Sequence, residues 1–205
     1  APPVTDWFST DGKPVNPAAT AWRLVDHPVF LRAEADVPLD NGLAVTWVVD
    51  LTRSGTTLRM QVRMANAGTE PRTVDEFPAW SALWQMPGRN DRIRWWKSLS
   101  FEEEARPFGQ GDIELFSHVH SSDDIDGGVN PYWAVSGKGG HAYFGLEWCG
   151  GWRALLSAEN EHLRFRAYLP KDETRLVLKP GETIAGPGLY VTFSEAESDA
   201  SSRMY

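Results

Sequence analysis

The chain has 205 residues, with 20 Lys+Arg against 28 Asp+Glu for a formal charge of −8, and 41% hydrophobic and 23% charged residues. That composition belongs to an ordinary globular chain and excludes a disordered tail or a fibrous repeat. No run of ~18 apolar residues occurs, which excludes a membrane-spanning helix, and the acidic balance argues against a nucleic-acid partner, whose phosphates call for clustered Lys and Arg.

Cys149 is the sole cysteine, so stability must come from the core and not from an internal disulfide. The chain begins Ala1-Pro2-Pro3 without an initiator Met, which fits a processed precursor and an expressed fragment equally well, and a bacterial cytoplasmic or secreted protein alike. Ten Trp in one chain of this length stand out. Trp is costly to expose and its N–H needs a partner when buried, so this number implies large core anchors, a stacking surface, or both.

Along the chain, period-two alternation recurs and helical periodicity hardly does. Residues 1–27 are Pro-rich and read as an irregular arm laid over a sheet. Leu43 to Leu51 is a strand candidate, and Thr57 to Met64 alternates cleanly, with Leu58, Met60, Val62 and Met64 on one face. Arg53-Ser54-Gly55-Thr56 between them supplies turn chemistry and predicts a hairpin. Asn66 to Pro71 breaks the chain and Arg72-Thr73-Val74 restarts it. Residues 86–131 read as a long connection with two short strands, Arg94–Leu99 and Ile113–Phe116, and long ordered loops are often functional.

Further strands are predicted over Tyr132–Ser136, His141–Trp148, His162–Leu169, Thr174–Leu178 and Leu189–Phe193, with Gly137–Gly140 and the Pro-Gly turn Lys179–Glu182 as punctuation. Many short strands of this kind read as one all-β domain, a sandwich or barrel of antiparallel strands, over 28–194. Residues 195–205 read as a polar tail or linker.

Three groups of residues are candidates for chemistry. The segment from His118 to Gly128 is the densest polar cluster: on a strand His118 and His120 point the same way, as two metal ligands would, and Asp124 and Asp126 echo half of a calcium loop whose closing Glu is replaced by Trp133. A solvated acidic turn accounts for the same residues. By type, Glu147, Glu182, Glu102, Glu103 and Glu104 are candidate acids or bases, although Glu182 follows Pro180-Gly181 as a turn residue would. There is no nucleophile elbow, no H-E-x-x-H pair and no phosphate-cradling glycine loop, so no cofactor is expected.

The aromatic residues are the stronger signal. Trp80, Trp84, Trp95, Trp96, Trp148 and Trp152 occur in pairs near Arg92 and Arg94. A flat indole stacks on the apolar face of a sugar ring while polar neighbours take its hydroxyls, so Trp84, Trp95, Trp96, Arg94 and Trp152 are the candidate carbohydrate contacts. Adjacent Trp95 and Trp96 on a strand face opposite sides, one to anchor the core and one to be presented outward.

Three motifs carry a resemblance to a known family. Gly145-Leu146-Glu147-Trp148-Cys149-Gly150-Gly151-Trp152 resembles a W-S-G-N-W strand and turn, with Cys149 for Ser and Gly151 for Asn. The segment Leu178 to Pro187 resembles L-x-P-G-E-x-F-x-x-P, and Ser117 to Ser122 through Asn130-Pro131-Tyr132-Trp133 resembles a strand–loop–strand with N-P before an apolar strand. Together, over roughly residues 95 to 193, these resemble the N-terminal β-supersandwich domain of family 36 glycoside hydrolases, the α-galactosidase-like enzymes.

The resemblance implies a galactose-mutarotase-like supersandwich, catalytic carboxylates on a following barrel of the same polypeptide, and a sandwich that supports the barrel and can edge the sugar site. It carries over no catalytic residue. A free-standing carbohydrate-binding module is the alternative, as is an aldose-epimerase-like enzyme with His118 or His120 as acid and Glu147 or Glu182 as base. Association into oligomers is compatible with all three.

Overall fold

In the computed structural model the described residues are 8–11, 13–15, 21–85, 90–97, 103–107, 112–116, 129–137, 140–148, 150–159, 162–170 and 176–195. Among them there is no helix, and therefore none long and apolar enough to cross a membrane. The strands are β1 (Phe8–Thr10), β2 (Lys13–Val15), β3 (Arg23–Val25), β4 (Phe30–Pro38), β5 (Leu43–Thr52), β6 (Thr57–Asn66), β7 (Arg72–Val74), β8 (Phe77–Gln85) and β9 (Asn90–Lys97). The series continues with β10 (Glu103–Pro107), β11 (Asp112–Phe116), β12 (Val129–Gly137), β13 (Gly140–Leu146), β14 (Arg153–Glu159), β15 (His162–Leu169), β16 (Leu176–Leu178), β17 (Thr183–Ala185) and β18 (Leu189–Ser194).

All pairings are antiparallel. The large sheet runs β10-β9-β12-β13-β18-β6-β5-β4-β3, with β17 sharing the β18 edge of β6. A second sheet, β11-β14-β15-β8, lies against it, and β16-β7-β1-β2 makes a small third one. The predicted hairpin is β5–β6, with Gly55 at φ 75° in its turn and the Gly55 N–H donating to the Thr52 carbonyl at 2.8 Å. The Pro-Gly turn also forms, with Gly181 at φ 80°, the left-handed conformation that favours glycine.

The strands β4, β8 and β14 form where the sequence reading marked none, and two segments that it did describe depart from it. The stretch read as an irregular arm contains β1, β2 and β3, the last of which extends the large sheet by pairing with β4. The connection read with two short strands contains β9, β10 and β11.

The core lies between the two larger sheets. Trp133 on β12 is fully buried and stacks almost parallel (3°) on Phe144 of β13, its cross-strand partner, at 5.4 Å. Phe165 of β15 meets both rings edge-on at 6.4 and 5.4 Å, and Trp152, just before β14, stacks on Trp133 at 6.5 Å. Aromatic contacts in these geometries add to the area that the rings remove from water. Leu43, Val45, Met60, Val62 and Met64 continue the core along β5 and β6, so the apolar face predicted for β6 is the buried one.

The second sheet is narrower than the large one, and its edge strand β8 ends the cover, with Trp80 on Trp47 at 6.0 Å. Beyond it the inward-facing side of the large sheet is open. By register, Leu31, Leu51 and Leu58 form one row across β4, β5 and β6, which runs on to the buried Val191 of β18. Leu24 is 88% exposed, Leu31 53%, and Trp22 and Phe193 are also exposed. This end of the sheet therefore presents an apolar strip to solvent.

Candidate functional site

The opposite, outward face of the large sheet carries its polar chemistry. One row, read from strand pairing, runs Tyr132, Gly145, Tyr190, Arg59, Asp50 and Arg32 across β12, β13, β18, β6, β5 and β4. Alternation puts these residues there because their neighbours Trp133, Phe144, Leu146, Val191 and Met60 point into the core.

At the β3–β6 end, charges satisfy one another. Arg32 grips Asp50 in bidentate fashion, Nε to Oδ1 at 2.6 Å and Nη2 to Oδ2 at 2.7 Å. Glu34 accepts from Arg23 at 2.8 Å and from Arg63 at 3.5 Å, and Asp36 accepts from the Thr46 hydroxyl at 2.7 Å and from Arg23. The Thr46 hydrogen bond and then Arg23 hold the Asp36 carboxyl below its ordinary value.

At the β9–β12 end the face is aromatic. Arg94 is buried, donates to the Ser136 hydroxyl at 2.9 Å and lies 5.9 Å from the Trp96 ring centroid. Trp96 is half-buried and packs on Tyr132 at 5.1 Å, while Ala134 and Tyr143 complete a second apolar cluster with it.

Between these ends, at the close of β13, Glu147 receives the Arg59 guanidinium at 2.8 Å, and the same guanidinium lies 5.7 Å from the Tyr190 ring centroid. Burial works against the charge on Arg59, but the hydrogen bond and charge of Glu147 outweigh it and raise its pKa further. The pair lies flat over Gly188, where an added Cβ would stand 2.5 Å from Glu147 Oε2. Gln61 holds the adjoining turn by donating to the Gly186 carbonyl at 2.9 Å.

The structure separates the predicted site residues. Trp95 and Trp152 are core rings, 7% and 2% exposed, which leaves neither face to a ligand; Trp95 also donates from Nε1 to Glu104 at 2.8 Å. Trp96 and Arg94 lie together on the outward face. Trp84 stands on β8 opposite Leu163, away from them. Glu182 accepts from the Lys179 backbone N–H at 2.7 Å, so its carboxylate closes the Pro-Gly turn. His118, His120, Asp124 and Asp126 lie outside the described residues, as does Cys149. Among the described residues no three His, Cys, Asp or Glu side chains converge as metal ligands would.

Sequence reasoning did not single out Arg59, Tyr132 or Tyr190. Alternation alone places each on the polar side of its own strand. Only the register brings them into one row.

These layers define an all-antiparallel β-sandwich with one oversized sheet. No family model matches the chain, and no curated protein matches its sequence. Among solved structures it is similar to the family 36 α-galactosidase AgaA of Geobacillus stearothermophilus, with 18% identity and a TM-score of 0.73 over 95% of this chain and 30% of that one. The α-galactosidase of Lactobacillus brevis gives 14% identity and 0.70, covering 96% and 29%. The galactosidase domain of the α-galactosidase-sucrose kinase AgaSK gives 20% and 0.68, covering 87% and 25%. At these identities the likeness is one of fold, and the chain spans less than a third of each of these relatives. The resemblance seen in the motifs is thus matched by a shared sandwich within α-galactosidases.

Proposed function

We propose that this chain is a non-catalytic accessory domain of a glycoside hydrolase acting on a galactoside-like sugar, and that it supports a following catalytic barrel. The observation that carries this reading is the asymmetric coverage: nearly all of this chain corresponds to under a third of an α-galactosidase. The remaining length of such an enzyme is where its catalytic carboxylates would lie. Two features agree. Glu182 serves a turn, and Glu147 is held in an ion pair with Arg59. The strip of Trp22, Leu24, Leu31 and Phe193 is an apolar surface of the kind a neighbouring domain covers.

The test has two arms. The purified chain should release no nitrophenol from an aryl α-galactoside and should leave galactose mutarotation at the buffer rate, while its coding sequence should continue past Tyr205 into a barrel of ~250 residues. Sustained release that is abolished by Glu147→Gln would overturn the reading, as would protein-accelerated mutarotation or a coding sequence without a barrel.

A further inference from the structure

The turn between β3 and β4 is closed by a side chain. Register pairs Val25 with Arg32, which leaves His27, Pro28, Val29 and Phe30 as a tight turn with Pro28 at its second position, where a fixed φ suits the bend. In such a turn the fourth residue's N–H ordinarily donates to the first residue's carbonyl. Here the Phe30 N–H donates to the imidazole Nδ1 of His27 at 3.3 Å, and the Val29 N–H donates to the same atom at 3.3 Å. The imidazole lies on the Phe30 ring at 5.1 Å and 23°. The His27 carbonyl accepts from Arg53 Nη2, on the turn between β5 and β6, at 3.5 Å. Two donors on Nδ1 fix the tautomer: Nδ1 carries the lone pair and Nε2 the proton.

We propose that His27 is a pH-sensitive latch on the β3 edge of the large sheet: uptake of a proton at Nδ1 opens the turn and loosens β3 from β4. A protonated imidazole has a donor on each nitrogen, so its Nδ1–H would confront the two backbone N–H groups that Nδ1 now receives. His27 is half-buried, so water reaches it. The charges around it come from three places. Asp26 adjoins it on the turn and favours the proton, Arg53 stands at its carbonyl and opposes it, and Arg32, on the outward face of β4, is paired with Asp50. Closure is complete above the range in which imidazole titrates and is lost as pH falls through it.

The latch holds a short element. β3 makes three register pairs, all to β4, and is tied further by Arg23, which donates to Glu34 at 2.8 Å and to Asp36. Carboxylates as a class titrate below imidazole, so the turn opens before that tie does. β3 carries Leu24, 88% exposed, and follows Trp22, which packs on Trp47 at 6.2 Å; both belong to the exposed apolar strip. The latch therefore sets how much of the strip is held in place, and it does not depend on the accessory reading.

Amide hydrogen exchange followed by NMR on the folded chain tests this, with each rate divided by the random-coil rate at the same pH. Between about pH 7.5 and about pH 5 the protection of the Val29 and Phe30 amides should fall about tenfold, the effect of losing one hydrogen bond. His27→Ala should show the lower protection at both pH values. His27→Asn, whose side-chain carbonyl closes such a turn without titrating, should show the higher protection at both. The Met60 and Val62 amides, inside the sheet on β6, should stay protected throughout, which separates the latch from global unfolding. Equal protection of Val29 and Phe30 at both pH values in the parent overturns the proposal. So does a fall with pH that persists in His27→Ala or His27→Asn, or a nitrogen-15 imidazole spectrum that places the His27 proton on Nδ1 near neutrality.

Discussion

Gly186 and Gly188 stand two residues apart in the Gly186-Pro187-Gly188 link between β17 and β18, and an added methyl should have opposite consequences at the two. At Gly186 the new Cβ would fall inside 3.0 Å of the Phe77 ring, 2.8 Å from Cδ1, and 3.1 Å from the Pro78 carbonyl oxygen. Phe77 is 1% exposed and locked in the core, and the Gly186 N–H donates to the Val62 carbonyl at 2.8 Å, so neither side can retreat. Such overpacking costs about 1–3 kcal/mol, offset by ~0.4–1 kcal/mol from a less flexible unfolded chain. At Gly188 the new methyl meets Glu147 Oε2 and Arg59 Nε, the ends of side chains that can swing into water. An exposed pair of that kind is worth about 0–1 kcal/mol, which the same unfolded-state gain nearly cancels. Urea denaturation should therefore show a lower midpoint at constant slope for Gly186→Ala and little change for Gly188→Ala. In a chain of this size, each kcal/mol lost at Gly186 lowers Tm by ~2–4 °C. A neutral Gly186→Ala, or a Gly188→Ala that is the more damaging of the two, would refute the packing argument.

Trp95→Ala removes a core ring and its bond to Glu104 and should cost ~3–5 kcal/mol, whereas Trp96→Ala, on the half-buried outward face, should cost less than half as much; chemical denaturation of both variants decides. Asp50→Asn leaves the Arg32 guanidinium without its carboxylate and should cost about 2–4 kcal/mol, while the double change Arg32→Met, Asp50→Leu should recover most of that in the same assay. Asp36 has a lowered pKa in the folded chain, so its contribution is complete above the ordinary value of 3.8 and is lost as pH falls through the folded value. The stability gap between parent and Asp36→Asn should accordingly be constant near neutrality and close in acid below about that pH, as measured by urea midpoints across pH.

Much of the architecture was legible because its strands announce themselves by composition. Thr57–Met64 and His162–Leu169 alternate β-favouring apolar residues with polar ones, and the turns at Gly55 and Gly181 carry the residues that a positive φ requires. The strands that escaped notice are those whose local signal is weak. The β4 sequence Phe-Leu-Arg-Ala-Glu-Ala-Asp-Val-Pro and the β14 sequence Arg-Ala-Leu-Leu-Ser-Ala-Glu are rich in Ala and Glu, which disfavour strands in isolation. They are strands because neighbours supply what propensity does not: β4 is zipped to β5 by nine register pairs and by Arg32–Asp50, and β14 is sandwiched between β11 and β15.

The sequence by itself also determined that adjacent Trp95 and Trp96 must face opposite sides, because the strand period is two. Which of them faces the core, and that Trp152 is an anchor between sheets, depended on layers that only the assembled sandwich creates. The row of Tyr132, Gly145, Tyr190 and Arg59, with Glu147 joined to it by the Arg59 ion pair, lay beyond any local reading for the same reason. Its members come from segments up to 131 positions apart, and strand register, set by core packing on the other face, is what brings them together.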